Sequence, residues 1–91
     1  MIVHASHILV RHQYEAEDIL TKLRGGDSFE ELARKWSMCS SAKVGGDLGP
    51  APSHRFHEDF LDAYLLLKSG EVSKTPVRTP FGFHILLRHS D

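Results

Sequence analysis

Apolar positions along the chain follow two rhythms, and the switches between them mark its elements. Ile2 to Val10 is rich in β-branched residues and alternates loosely, the pattern of a strand. After a short turn at Arg11-His12-Gln13, Ala16, Ile19, Leu20 and Leu23 recur at helical spacing with charges between them. Gly25-Gly26 closes that helix as a C-cap. Ser28, with Glu31 three residues on, forms a capping box for a second helix. Phe29, Leu32, Ala33 and Trp36 lie along one stripe of it and are expected in the core. Ser37 to Gly49 keeps neither rhythm; small residues and glycines dominate, as in a loop whose backbone approaches something closely. Leu48 is read as the end of a short edge strand, Pro50-Ala51-Pro52 as irregular, and Ser53 as a candidate cap. Phe56, Phe60, Leu61, Tyr64 and Leu65 make a third amphipathic helix that stops near Ser69-Gly70. Val72 to Val77 reads as a short strand, which Pro76 places at a sheet edge. Phe83 to Leu87, apolar on both sides, is expected to be central. The order β-α-α-loop-β-α-β-β predicts an α+β domain, a small sheet covered by helices, over residues 1–91.

One tripeptide occurs near both ends, as His7-Ile8-Leu9 and His84-Ile85-Leu86. In a strand alternate side chains share a face, so His7 goes with Leu9 and His84 with Leu86. If the two strands are neighbours, two imidazoles meet in the middle of a sheet face. A buried polar ring needs a partner. Either histidine alone is most simply satisfied by backbone groups; the pairing is what suggests a site.

Composition narrows the classes. Of 91 residues 41% are hydrophobic and 25% charged, the proportions of an ordinary soluble globular domain. Eleven basic and twelve acidic residues leave a net charge of -1, which gives no electrostatic case for nucleic acid or an anionic membrane. No apolar run is long enough to span a bilayer, and no basic stretch with a cleavage site follows Met1. The one cysteine, Cys39, has no intramolecular disulfide partner. These features predict a cytosolic location.

Five segments in order carry a family resemblance: Ser6-His7-Ile8-Leu9-Val10, Cys39-Ser40-Ser41-Ala42-Lys43, Gly45-Gly46-Asp47-Leu48-Gly49, Gly70-Glu71-Val72-Ser73 and Phe81-Gly82-Phe83-His84-Ile85-Leu86. Together they resemble a parvulin-type peptidyl-prolyl cis/trans isomerase, from Ile2 to Arg88. The resemblance implies a four-stranded antiparallel sheet with the first and last strands central, covered by about four helices in an FKBP-like superfold. It also implies a site of two histidines, a cysteine and an apolar proline pocket, without metal or cofactor. On it His7, His84, Cys39 and Thr79 take the catalytic positions, while Leu48, Phe56, Phe60 and Phe81 take substrate-binding positions. Phe56 stands where many relatives place methionine, and Phe81 where a small polar residue is common. Pro50-Ala51-Pro52 departs from the usual sequence.

The implied reaction is rotation about an X-Pro bond in peptides and in unfolded or nascent chains, by a monomer. For Cys39 a covalent role, a hydrogen-bonding role and a passive buried thiol all stay open; its neighbours Met38 and Ser40 supply no cation to activate it. Relatives selective for phosphorylated substrates carry a basic cluster after the first strand. Arg11 and His12 alone predict no phosphate requirement. Seven histidines also raise a metal site, with His54 and His57 three apart, but matched ligand pairs are missing. His12, His54, His57 and His89 are assigned to solvated surface and His4 stays unassigned. The other functional reading is a proline-peptide-binding chaperone module without useful catalysis.

Overall fold

Strands from opposite ends of the chain form the middle of the sheet. In the computed structural model, which describes residues 1–89, β1 (Ile2–Val10) pairs antiparallel with β4 (Gly82–Arg88), in register from Ala5 opposite Arg88 to Val10 opposite Phe83. An edge strand β2 (Asp47–Pro52) flanks β1 and a short β3 (Val77–Thr79) flanks β4, giving the order β2-β1-β4-β3. All pairs are antiparallel. Three α-helices, α1 (Gln13–Arg24), α2 (Phe29–Trp36) and α3 (Glu58–Leu66), and two short 3-10 turns at Ser40–Val44 and Ser53–Arg55, stand where about four helices were expected. No helix among the described residues is long and apolar enough to cross a membrane.

Strand alternation divides the core between the two sheet faces. On one, Ile8, Val10 and Ile85 pack with Ala16, Ile19, Leu20, Leu32 and Ala33 of α1 and α2. On the other, Val3, Ala5 and Leu86 pack with Phe60 and Tyr64 of α3. Local side-chain signals start the first two helices, that of α2 at the Ser28–Glu31 pair the sequence predicts. The His12 N–H donates to Glu15 Oε1 at 3.0 Å ahead of α1, and Ser28 Oγ accepts from the Glu31 N–H at 3.3 Å at the start of α2.

Four local readings are corrected. Trp36 is not core but half exposed. It ends α2 beside Val10, Tyr14 and Ile19 in a surface cleft, where β1 has also ended and no further sheet covers the indole. Pro50-Ala51-Pro52 is not irregular; it forms the second half of β2, with His4 opposite Pro50 and Ile2 opposite Pro52. Proline lacks an N–H, and an edge strand needs only one side of its backbone paired. The strand expected at Val72 to Val77 begins at Val77. Before Pro76 the chain meets β4 only locally, through a Val72–Leu87 bridge and the Ser73 N–H donating to Leu86 O at 2.8 Å. The third helix starts at Glu58, capped by His57 rather than Ser53, and leaves Phe56 in extended backbone and Leu65 exposed.

Candidate active site

The β1–β4 register sets Leu86 opposite His7 and Leu9 opposite His84. The two imidazoles are therefore diagonal neighbours on the α3 face. Both are buried, their rings stack with centroids 5.1 Å apart, and their Nδ1 atoms are 2.9 Å apart. At the other side of His84, Nε2 lies 2.7 Å from Thr79 Oγ1 of β3. That oxygen also accepts from the Phe81 N–H at 3.2 Å.

The protons along this chain can be ordered in two ways. Two facing Nδ1 atoms make a hydrogen bond only if one carries a proton and the other does not. Since Thr79 already accepts from Phe81, its own hydroxyl proton is available for His84 Nε2. In that order His84 holds its proton on Nδ1 and donates to His7 Nδ1, leaving the His7 proton on Nε2. In the reverse order His84 donates from Nε2 to Thr79 Oγ1, whose second lone pair takes that proton beside the Phe81 N–H, so both orders satisfy the geometry. His7 Nε2 is buried and has no hydrogen-bond partner among the described residues.

Both rings are neutral near pH 7. Burial pushes the His7 pKa from 6.5 to about 4. Burial, followed by repulsion from His7 and then His57, brings His84 to about 4 as well. Two imidazolium rings facing through Nδ1 would oppose N–H to N–H, so the geometry and the titration agree.

Beside the pair is a hollow of about 140 Å³ whose apolar wall is Leu48, Phe56, Phe60 and Phe81. Phe56 stacks on Phe60 at 5.0 Å. Phe60 in turn meets both imidazoles edgewise, at 5.9 Å from His7 and 5.6 Å from His84. This one buried ring joins the α3 core to the polar chain. Phe81 is largely exposed and forms the outer rim. Gly46 holds the far side: its carbonyl accepts from the His7 N–H at 2.9 Å. A Cβ added there would lie 2.5 Å from His7 O, at a φ of +86°. The close approach expected of the glycine-rich loop is thus onto the backbone of His7, and it delivers Leu48 to the hollow.

Cys39 stands apart from this arrangement. It precedes the 3-10 turn at Ser40–Val44, its N–H donates to Ser37 Oγ at 3.4 Å, and its thiol hydrogen-bonds neither histidine. It does not line the hollow. Arg11 and His12 are likewise absent from the lining, whereas Arg55 and His57 are part of it, a placement the sequence reading missed. His57 Nδ1 accepts from the Asp59 N–H at 3.1 Å, which fixes the entry to α3. The only signal for Arg55 was its adjacency to Phe56, in a loop whose path the unusual prolines obscured.

An antiparallel pair of sequence-distant strands, carrying a hydrogen-bonded histidine pair beside an aromatic hollow, is the arrangement of a parvulin-type domain. A family model described as the PPIC-type PPIase domain matches residues 7–90, and the chain belongs to that family of rotamase domains. It is 47% identical over 85 residues to the foldase protein PrsA of Bacillus subtilis strain 168, covering 92% of this chain and 29% of that protein. A PrsA crystal structure from Bacillus anthracis superposes with a TM-score of 0.94 at 42% identity, covering 98% of this chain and 41% of that one. The parvulin NmPin of Nitrosopumilus maritimus gives a TM-score of 0.84 at 41% identity, with 98% and 96% covered. The chain thus spans less than a third of the B. subtilis foldase it matches and nearly all of the archaeal parvulin.

Proposed function

We propose that this domain catalyses cis/trans isomerisation of X-Pro bonds in peptides and in unfolded or nascent proteins. The observation that carries the proposal is the neutral, hydrogen-bonded His7–His84 pair beside the hollow of Leu48, Phe56, Phe60 and Phe81. The uncatalysed barrier is roughly 18–20 kcal/mol because amide resonance must be broken. A 10⁵-fold acceleration requires lowering it by about 7 kcal/mol. No group is transferred. As the amide twists, its charge separation collapses and the prolyl nitrogen becomes amine-like. A dry aromatic hollow disfavours the polar planar amide relative to that twisted form. The chain from Phe81 through Thr79 and His84 to His7 presents dipoles fixed before the substrate arrives, so little reorganisation accompanies the twist.

This reading needs no thiol attack, and Cys39 is left to set local polarity at most. It also needs no phosphate. Arg55 is a single guanidinium at the hollow, whereas a phosphate is held by several charge-assisted donors. Apolar residues before proline are preferred on this account, because Phe81 borders that side. Rate comparison on phosphorylated and plain Ser-Pro peptides checks this point, and a strong gain on phosphorylation contradicts it. The domain acts as a monomer. A cytosolic location belongs to the proposal too, on the lone thiol alone, and cell fractionation tests it.

The functional test is refolding of a client protein limited by a prolyl isomerisation. Catalytic amounts of the domain are expected to shorten the slow phase. An unchanged slow phase with client bound favours the chaperone module instead.

A further inference from the structure

Behind the sheet, on the face away from the hollow, three metal-ligand side chains converge. His4 of β1, Asp47 at the start of β2 and His89 just past β4 each offer a ligand atom, and these atoms all lie within 4.8 Å of one another. His4 Nε2 is 3.5 Å from Asp47 Oδ1, and the His4 and His89 rings lie tilted at 33° with centroids 4.5 Å apart. Backbone pairing sets the arrangement. The His89 N–H donates to His4 O at 3.0 Å, carrying the β1–β4 ladder one step past β4. Asp47 pairs with Ser6, and Ser6 Oγ is 2.6 Å from His89 Nε2. The sequence reading had assigned His89 to solvated surface and left His4 unassigned; both are half-buried members of one cluster.

We propose that His4, Asp47 and His89 form a binding site for a divalent transition-metal ion of the zinc, nickel or copper class. Two imidazoles with one carboxylate suit these ions and not magnesium or calcium, which take oxygen donors. Bonds of about 2.0–2.1 Å at tetrahedral angles place donor atoms roughly 3.3 Å apart. The His4–Asp47 pair is already close to that spacing, and small side-chain rotations bring in His89. Three protein ligands leave one position for water or a further donor. Supporting contacts are also present: Ser6 holds the His89 ring, and Asp47 Oδ1 accepts from the Gly49 N–H at 2.8 Å. An ion here ties the edge strand β2 to both central strands. Because Asp47 precedes Leu48, it also braces the wall of the hollow across one peptide bond.

Titration of the 91-residue chain with Zn²⁺, followed by calorimetry and by histidine ring NMR, tests this. One saturable ion per chain is expected, with the His4 and His89 resonances shifting together and those of His7 and His84 unmoved. Asp47→Asn, at an exposed carboxylate, is expected to fold normally and to weaken binding at least tenfold. His4→Ala and His89→Ala are expected to abolish it, while His54→Ala leaves it intact. Absence of saturable binding, or equal affinity in a folded Asp47→Asn protein, overturns the proposal and reduces the cluster to a polar contact beside two tilted rings.

Discussion

Thr79 Oγ1 is the shared partner of His84 Nε2 and the Phe81 N–H. Thr79→Val keeps the shape but leaves His84 Nε2 and the Phe81 N–H without their partner. Leaving buried polar groups unpaired costs about 1–3 kcal/mol each. We expect a stability loss of about 2 kcal/mol in urea unfolding and at least a tenfold lower kcat/KM, which corresponds to about 1.4 kcal/mol of barrier. Protonation gives a second residue-scale expectation. Both histidines titrate near 4 when folded against 6.5 when unfolded. Between these values the unfolded chain binds more protons, so stability is complete above 6.5 and falls as pH drops toward 4. The full loss is on the order of 3 kcal/mol per histidine. Denaturation midpoints across this range should follow that slope, while kcat/KM stays flat through about pH 6–8. An activity step centred near 6.5 would mean that a titrating imidazole is required.

At the scale of elements, the loop from α2 to β2 has a tightly constrained backbone. Gly46 sits at positive φ with His7 O where a side chain would go, whereas Gly26, also at positive φ, faces open space. Gly26→Ala should cost about 1 kcal/mol of backbone strain. Gly46→Ala adds a clash with the backbone of β1 and should cost at least about 2 kcal/mol, with activity falling in parallel because Leu48 moves. Equal effects of the two substitutions in denaturant unfolding would refute the close approach. Trp36→Ala gives another contrast: a buried Trp loses about 3–5 kcal/mol on truncation, and this half-exposed indole should lose less than about 2. Periodicity made β1, α1, α2 and β4 legible, since each buries a regular stripe. It failed at Trp36, because period reports a face and not whether anything covers it. It failed again at β2, where two prolines masked an edge strand that needs few N–H donors.

For the whole molecule, the repeated His-Ile-Leu showed that two distant strands could share a polar pair, and register made that pair a hydrogen bond. The wall residues Leu48, Phe56, Phe60 and Phe81 were legible through the family resemblance, and they do line one hollow. Arg55 was not, because its position depends on a turn between β2 and α3 that no periodic signal marks. The cluster of His4, Asp47 and His89 was invisible for a related reason. Its members are far apart in sequence and meet only through strand pairing. What the fold accomplishes is to bring strands from the two ends of the sequence together at the sheet centre and to set a largely apolar hollow beside a hydrogen-bonded histidine pair. Exchange spectroscopy on an Ala-X-Pro-Phe peptide tests this most directly, because it reads binding and isomerisation in the same sample. The account predicts cis/trans exchange many-fold faster at substoichiometric protein, with the gain lost in Thr79→Val. Resonance shifts from bound peptide with no faster exchange would contradict it.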